Sequence, residues 1–169
     1  MVSTEVIAIL LSGISISASL FYYANVLANA NKTREKEIIN QRISTINPEF
    51  YRNWRTVIRG EWSTQLEWVE YLKEHPEDGP IVNYIMVFFN SLGVLLKNQI
   101  LSNGLVFSVY APHMCIWTWE KICPIIRGNR ELMNYSELMI GFEFLYNEAK
   151  QKYPEIENMT VYQRNLSDL

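Results

Sequence analysis

The sequence predicts an all-α protein in which one N-terminal transmembrane helix is followed by a small helical bundle. Three observations predict it. Residues 6–28 run without a charge. Beyond them, apolar residues recur three and four positions apart, the spacing of one helix face. Nowhere do apolar and polar residues alternate long enough to make a strand. The boundaries that follow are 1–30 for a transmembrane anchor, 31–153 for a cytoplasmic helical domain and 154–169 for a flexible tail.

The anchor comes first. As a helix, residues 6–28 reach about 34 Å, enough to cross about 30 Å of hydrocarbon. A cleaved secretory signal competes with this reading, because Ala28-Asn29-Ala30 resembles a small-residue cleavage site. Against it, no Lys or Arg precedes the apolar run, and the run exceeds the usual signal core of about 7 to 15 residues. Lys32, Arg34, Lys36 and Arg42 all follow the span. Basic residues mark the cytoplasmic side, so the N-terminus is expected outside and the domain inside the cell membrane. Tyr22 and Tyr23 fall near that inner boundary, where amphipathic rings favour the interface. Asn31-Lys32-Thr33, Asn158-Met159-Thr160 and Asn165-Leu166-Ser167 resemble glycosylation triplets, which matter only in the reverse orientation. Within the span, Ala8, Ser12, Ser15 and Ser19 share one face, with Gly13 and Ser17 beside it. Small residues there let a second helix approach closely, though plain single-pass anchors carry scattered small residues too.

A polar helix is expected to continue from the span to about Ile46, where Asn47-Pro48 breaks it. Next, Phe50, Trp54, Val57 and Ile58 trace an amphipathic helix whose other face carries Arg52, Arg55 and Arg59, with Gly60 turning the chain. Trp62, Leu66, Val69 and Leu72 define a further stripe opposed by Glu67, Glu70 and Glu74. His75-Pro76 and Asp78-Gly79 close it. The clearest helix begins near Pro80, a good first-turn residue, and carries Ile81, Tyr84, Ile85, Phe88, Leu92, Leu95 and Leu96. Val87 and Phe89 widen that stripe, so the helix is expected at the centre of the core. Ser102 can cap the next helix, which carries Leu105, Val106, Val109 and Tyr110. Pro112 and Pro124 should kink or restart the apolar stretch that follows. A last helix presents Leu138, Met139, Phe142, Leu145, Tyr146 and Ala149 before Pro154.

Composition excludes several functions. The net charge is −3, and the 15 Lys and Arg are nearly balanced by acids downstream of the span. A nucleic-acid binder needs a large basic excess to displace counterions from phosphates. Disorder is excluded by 13% aromatic content and regular apolar spacing. On one helix Cys115 and Cys123 would lie about 12 Å apart along the axis, too far for a disulfide. Buried reduced thiols are the simpler expectation.

The order of features resembles the domain of unknown function 4760 family, an uncharacterised prokaryotic family. The resemblance rests on the N-terminal span with trailing basic residues, then Asn47-Pro48-Glu49-Phe50 and Phe88-Phe89-Asn90-Ser91-Leu92-Gly93-Val94-Leu95. Trp119-Glu120-Lys121, Pro124 and Arg130 complete it, so most of residues 5–150 is covered. It implies an anchored helical domain and no catalytic residue, because the family has no established activity to carry over.

Chemistry in the sequence is sparse. His75, His113, Cys115 and Cys123 are the candidate metal ligands, and His113 and Cys115, two apart, point to different sides of a helix. Either histidine could activate a cysteine, yet His and Cys within an aromatic segment more often serve packing. No glycine-rich phosphate loop appears, and no metal or other cofactor is expected. The row Arg52, Arg55 and Arg59 can grip phosphate, carboxylate or lipid headgroups. It can equally pair with the Glu67, Glu70 and Glu74 row across a hairpin or remain solvated. Arg127 and Arg130 could similarly face a partner or serve helix ends. The expected function is a non-enzymatic, membrane-tethered interaction or regulatory module, whose partners are the lipid bilayer and a protein or a second copy. The alternatives are a membrane-bound enzyme using His113, Cys115, Trp117 and Trp119, and an effector that oligomerises through its span.

Overall fold

The structure, a computed structural model, describes residues 4–158, with side chains from 14 to 156. Among these residues it is all-α, with seven α-helices and no strand. The helices are α1 (Thr4–Ile43), α2 (Pro48–Arg59), α3 (Gln65–Glu74), α4 (Asp78–Lys97), α5 (Asn103–Val109), α6 (Pro112–Met133) and α7 (Ile140–Lys152). The chain divides at Arg42/Ile43 into two units. The first unit is α1, one unbroken helix, so the polar segment expected to continue from the span does so as far as Ile43. Side chains of residues 14–34 are exposed along it.

The second unit is the bundle. α4 and α7 form its most extensive contact, α2 packs on α4, and α6 packs on α7, α2 and α3. Among the described residues, α4 is the helix long and apolar enough to cross a membrane, with a mean hydropathy of 1.6. Val82, Ile85, Phe88, Phe89, Leu92 and Leu96 account for that apolar character, because all six are buried in the bundle. Its first turn starts at Asp78, two residues before Pro80. The Asp78 carboxylate is buried there and accepts a 2.6 Å hydrogen bond from the Tyr71 hydroxyl.

Two glycines set the α4–α7 spacing. A Cβ on Gly93 would collide with the Gly141 carbonyl, and one on Gly141 would collide with the Asn90 carbonyl and the backbone of Val94. Backbones touch here, so any larger residue must push the helices apart. Asn90 adds a polar link: its Oδ1 accepts at 3.2 Å from the Phe142 amide, which it shares with the Met139 carbonyl at 3.1 Å. Phe89 stacks on Phe142, and Trp119 meets Phe142 edge-on.

Two expectations are corrected. In α3 the inward residues are Gln65, Trp68, Tyr71 and Leu72, whereas Leu66 (73% exposed) and Val69 (47% exposed) face out. The cause is Gly128 of α6, where no side chain stands in the way of Gln65. Its amide packs there and donates to Asn129 Oδ1 at 3.0 Å. In α4, Tyr84 and Val87 are exposed rather than part of the core. The restart expected at Pro112 is met, since that residue takes the first turn of α6, and Pro124 lies inside the same helix without ending it. Pro124 has no amide to offer the Glu120 carbonyl. The Cys123 thiol donates to that carbonyl instead, at 3.7 Å.

Beyond α7, Pro154–Asn158 forms a single 3-10 turn that buries Ile156. The rest of the segment expected as a flexible tail lies outside the described residues.

Candidate functional site

The arginine row owes its position to the inner face of α2. Asn47 starts this helix by accepting the Phe50 amide on Oδ1 at 2.9 Å, and Pro48 takes the first-turn position where a missing amide costs nothing. Phe50, Trp54 and Val57, spaced four and three apart, are then buried. Phe50 lies 4.7 Å from the Phe88 ring between centroids. Trp54 Nε1 donates to Thr118 Oγ1 at 2.8 Å, and that buried hydroxyl donates in turn to the Met114 carbonyl. With three apolar anchors and one buried hydrogen bond fixing its rotation, α2 has to present Tyr51, Arg52, Arg55 and Arg59 outward.

These residues line an open groove of about 730 Å³ with Ile46, Asn47, Pro48 and Thr56. Among the described residues, no acidic one lines it. Neither Arg52 nor Arg55 has a carboxylate within ion-pair distance among the described residues. Thr56 and Arg59 also line a second hollow of about 340 Å³, with Gly60, Glu61, Tyr71 and His75. Two glutamates of the α3 row, Glu67 and Glu70, are engaged within their own neighbourhood. Glu67 accepts from the Ser63 amide and hydroxyl at 2.7 Å each, which holds its carboxyl below the usual range. Glu70 pairs with Lys73 at 2.7 Å.

The other two arginines do not join the row. Arg127 is exposed on α6. Arg130 is internal, its side chain only 16% exposed. It donates through Nε to the Leu138 carbonyl at 2.9 Å and pairs with Glu143 at 2.8 Å. In that position it clamps the α6–α7 connection, whose last residue before α7, Met139, has a left-handed backbone (φ 57).

On α1, Ser15 and Ser19 are exposed, and the Ser19 hydroxyl donates to the Ser15 carbonyl at 2.8 Å. The side chains of Ala8 and Ser12 lie outside the described residues. The His113 region is an aromatic packing site. His113 sits 4.8 Å from the Trp117 ring and 6.5 Å from Trp54, and burial lowers its pKa. Cys115 is buried, and desolvation pushes its thiol pKa far above the ordinary range. Both cysteines are free. Among the described residues no three His, Cys, Asp or Glu side chains converge as metal ligands.

Sequence reasoning located the three arginines but not the rest of the groove. Tyr51 and Thr56 share their face, one position before Arg52 and one after Arg55, and that spacing was the available signal.

The family described as Domain of unknown function (DUF4760) matches residues 5–149. No curated protein and no solved structure matches the chain.

Proposed function

The chain belongs to the DUF4760 family, and from that premise we propose that it is a membrane-tethered, non-enzymatic interaction or regulatory module. In this reading one N-terminal transmembrane helix holds the α2–α7 bundle on the cytoplasmic face of the cell membrane. The observation that carries it is the exposure of large apolar side chains around α1. Ile14, Ile16, Leu20, Phe21 and Leu27 are each more than 60% exposed, Phe21 reaching 74%. A helix apolar on every side needs an apolar surrounding, and a bilayer supplies one. Polar side chains in the same stretch return hydrogen bonds to their own helix, Ser19 to Ser15 and Asn25 to the Phe21 carbonyl at 3.0 Å. That is how hydroxyl and amide groups are accommodated where water is absent.

The family match starts at residue 5, which supports treating the apolar stretch as part of the shared unit rather than as a removable leader. Lys32, Arg34, Lys36 and Arg42 support the cytoplasmic placement of the bundle. Burial of Cys115 weighs against a membrane-bound enzyme using His113 and Cys115, because the thiolate is the nucleophile and burial disfavours it. The partners in this reading are the bilayer and a protein or a second copy of the chain.

The test is a pair of reporters fused after Leu169, one active only in the cytoplasm and one only after export, with alkaline extraction of membranes. Signal from the cytoplasmic reporter in the extraction-resistant fraction is expected. Signal from the exported reporter would reverse the orientation, and release by alkali would remove the anchor.

A further inference from the structure

We propose that the groove along α2 is a binding site for a phosphate-bearing ligand, with Arg52, Arg55 and Arg59 as its charged contacts. The proposal deepens the reading of the bundle as an interaction module and does not depend on the anchor. Its first support is charge placement. In a chain whose net charge is −3, three arginines and, among the described residues, no carboxylate line one groove. On α3, Glu67 accepts from Ser63 and Glu70 pairs with Lys73, so neither is drawn to Arg52 or Arg55. Clefts lined by one sign of charge concentrate ligands of the opposite sign.

The second support is residue type and spacing. Guanidinium groups present planar, paired donors that match phosphate oxygens two at a time, which a lysine ammonium does not. Positions 52, 55 and 59 fall on one face and span about 10 Å along the helix axis. That span exceeds a single phosphate, so adjacent arginines fit one phosphate and the third reaches a neighbouring anionic group. The Tyr51 and Thr56 side chains line the same groove and bring hydroxyls that can donate to phosphate oxygens. α2 itself is fixed by the burial of Phe50, Trp54 and Val57, so the helix backbone carrying the row is in place before a ligand arrives.

Two sources share this chemistry: a soluble diphosphate-bearing molecule and the headgroup of an anionic phospholipid. The experiment uses the full chain in non-ionic detergent micelles and labels arginines with phenylglyoxal, site by site, read by mass spectrometry. The probes are inorganic pyrophosphate and phosphatidylglycerol doped into the micelles. Arg127, exposed on α6, is the internal control. Labelling of Arg52 and Arg55 should slow at least threefold with a probe while Arg127 is unchanged. Protection by pyrophosphate alone assigns a soluble ligand, protection by phosphatidylglycerol alone assigns a headgroup, and protection by both supports the shared chemistry. Equal labelling of Arg52, Arg55 and Arg127 under every condition overturns the proposal.

A second variant keeps the result interpretable. Arg52→Gln with Arg55→Gln alters only exposed side chains, so the fold should persist. Direct titration with whichever of the two probes protects Arg52 and Arg55 should then weaken at least tenfold relative to Arg127→Gln. Equal binding by the two variants would also overturn the site. The reporter test of membrane orientation succeeds or fails independently of either outcome.

Discussion

α4 and α1 are both long and rich in apolar residues, yet α4 buries Val82, Ile85, Phe89 and Leu92 in protein while α1 leaves Ile14, Leu20, Phe21 and Leu27 exposed. The difference lies in pattern rather than in content. The buried residues of α4 return at three- and four-residue steps, and α7, α2 and α6 meet the bundle's inner faces. The exposed apolar residues of α1 point all round the helix, as a single face does not require. Comparing the two separates apolar surface that specifies a fold from apolar surface that specifies a surrounding. It also predicts that substitutions in α4 act on stability, whereas those in α1 act on location and association.

The largest expected effect tests the α4 side. Replacing Gly with Ala inside a helix ordinarily stabilises it by about 1 kcal/mol. At Gly93 and Gly141 the sign should reverse, because each new methyl would enter the backbone of the facing helix. Overpacking costs about 1–3 kcal/mol, and a collision with backbone belongs at or above the top of that range. Gly104, in α5, is the contrast, since a Cβ there meets nothing within 4 Å. Gly93→Ala should therefore lower the denaturation midpoint sharply, while Gly104→Ala should leave it unchanged or raise it, with a gain in stability of up to about 1 kcal/mol. Equal responses at the two positions would mean that the α4–α7 contact does not set the spacing of the bundle.

What was legible in the sequence follows the same division. The two faces of α2 could be read directly, because Phe50, Trp54 and Val57 alternate cleanly with Arg52, Arg55 and Arg59. One cap could be read too: Ser102 accepts the Leu105 amide three residues on. α3 was misread because its rotation is set by a polar residue. Gln65 fits over Gly128 and bonds Asn129, and apolar periodicity carries no trace of that contact. For Arg130 the sequence left a partner surface and a helix end both open, since its partners, the Leu138 carbonyl and Glu143, depend on how the chain turns before α7. The groove beside Arg52 was half legible: spacing fixed its arginines, while its walls needed coordinates.

A smaller effect tests the α1 side. If the face of Ala8, Ser12, Ser15 and Ser19 packs against another helix, the span should self-associate. Lipid tails offer no hydrophobic drive between helices, so close backbone packing has to supply it. Because the Ser19 hydroxyl is already bonded to the Ser15 carbonyl, packing rather than hydrogen bonding should dominate. Ser12→Ile with Ser15→Ile should weaken association by about 1 kcal/mol per lost contact. Ile9→Leu with Ile16→Leu, off that face, should do little. Crosslinking of the isolated span in membranes reads both, and equal association in wild type and the serine double variant would leave α1 as a plain anchor.

The smallest effect is one of pH, and it should appear in the bundle and not in α1. His113 is the group concerned, packed against Trp117 and near Trp54. Burial lowers its pKa from the ordinary value of 6.5, since a charged imidazolium is poorly solvated between aromatic rings. The folded state therefore favours the neutral ring. Its contribution to stability is fully present above pH 6.5, the unfolded value, and is lost as pH falls through the lower folded value. Residues 6–31 contain no Asp, Glu, Lys, Arg or His, so helicity of the span should be level over the same range. Denaturation of the full chain in micelles, measured from pH 8 to pH 5, should show bundle stability declining toward the acid end. His113→Gln should flatten that decline while lowering stability at pH 8 through lost packing. A slope unchanged by the substitution would place the acid sensitivity on another group and remove His113 from the packed face between Trp54 and Trp117.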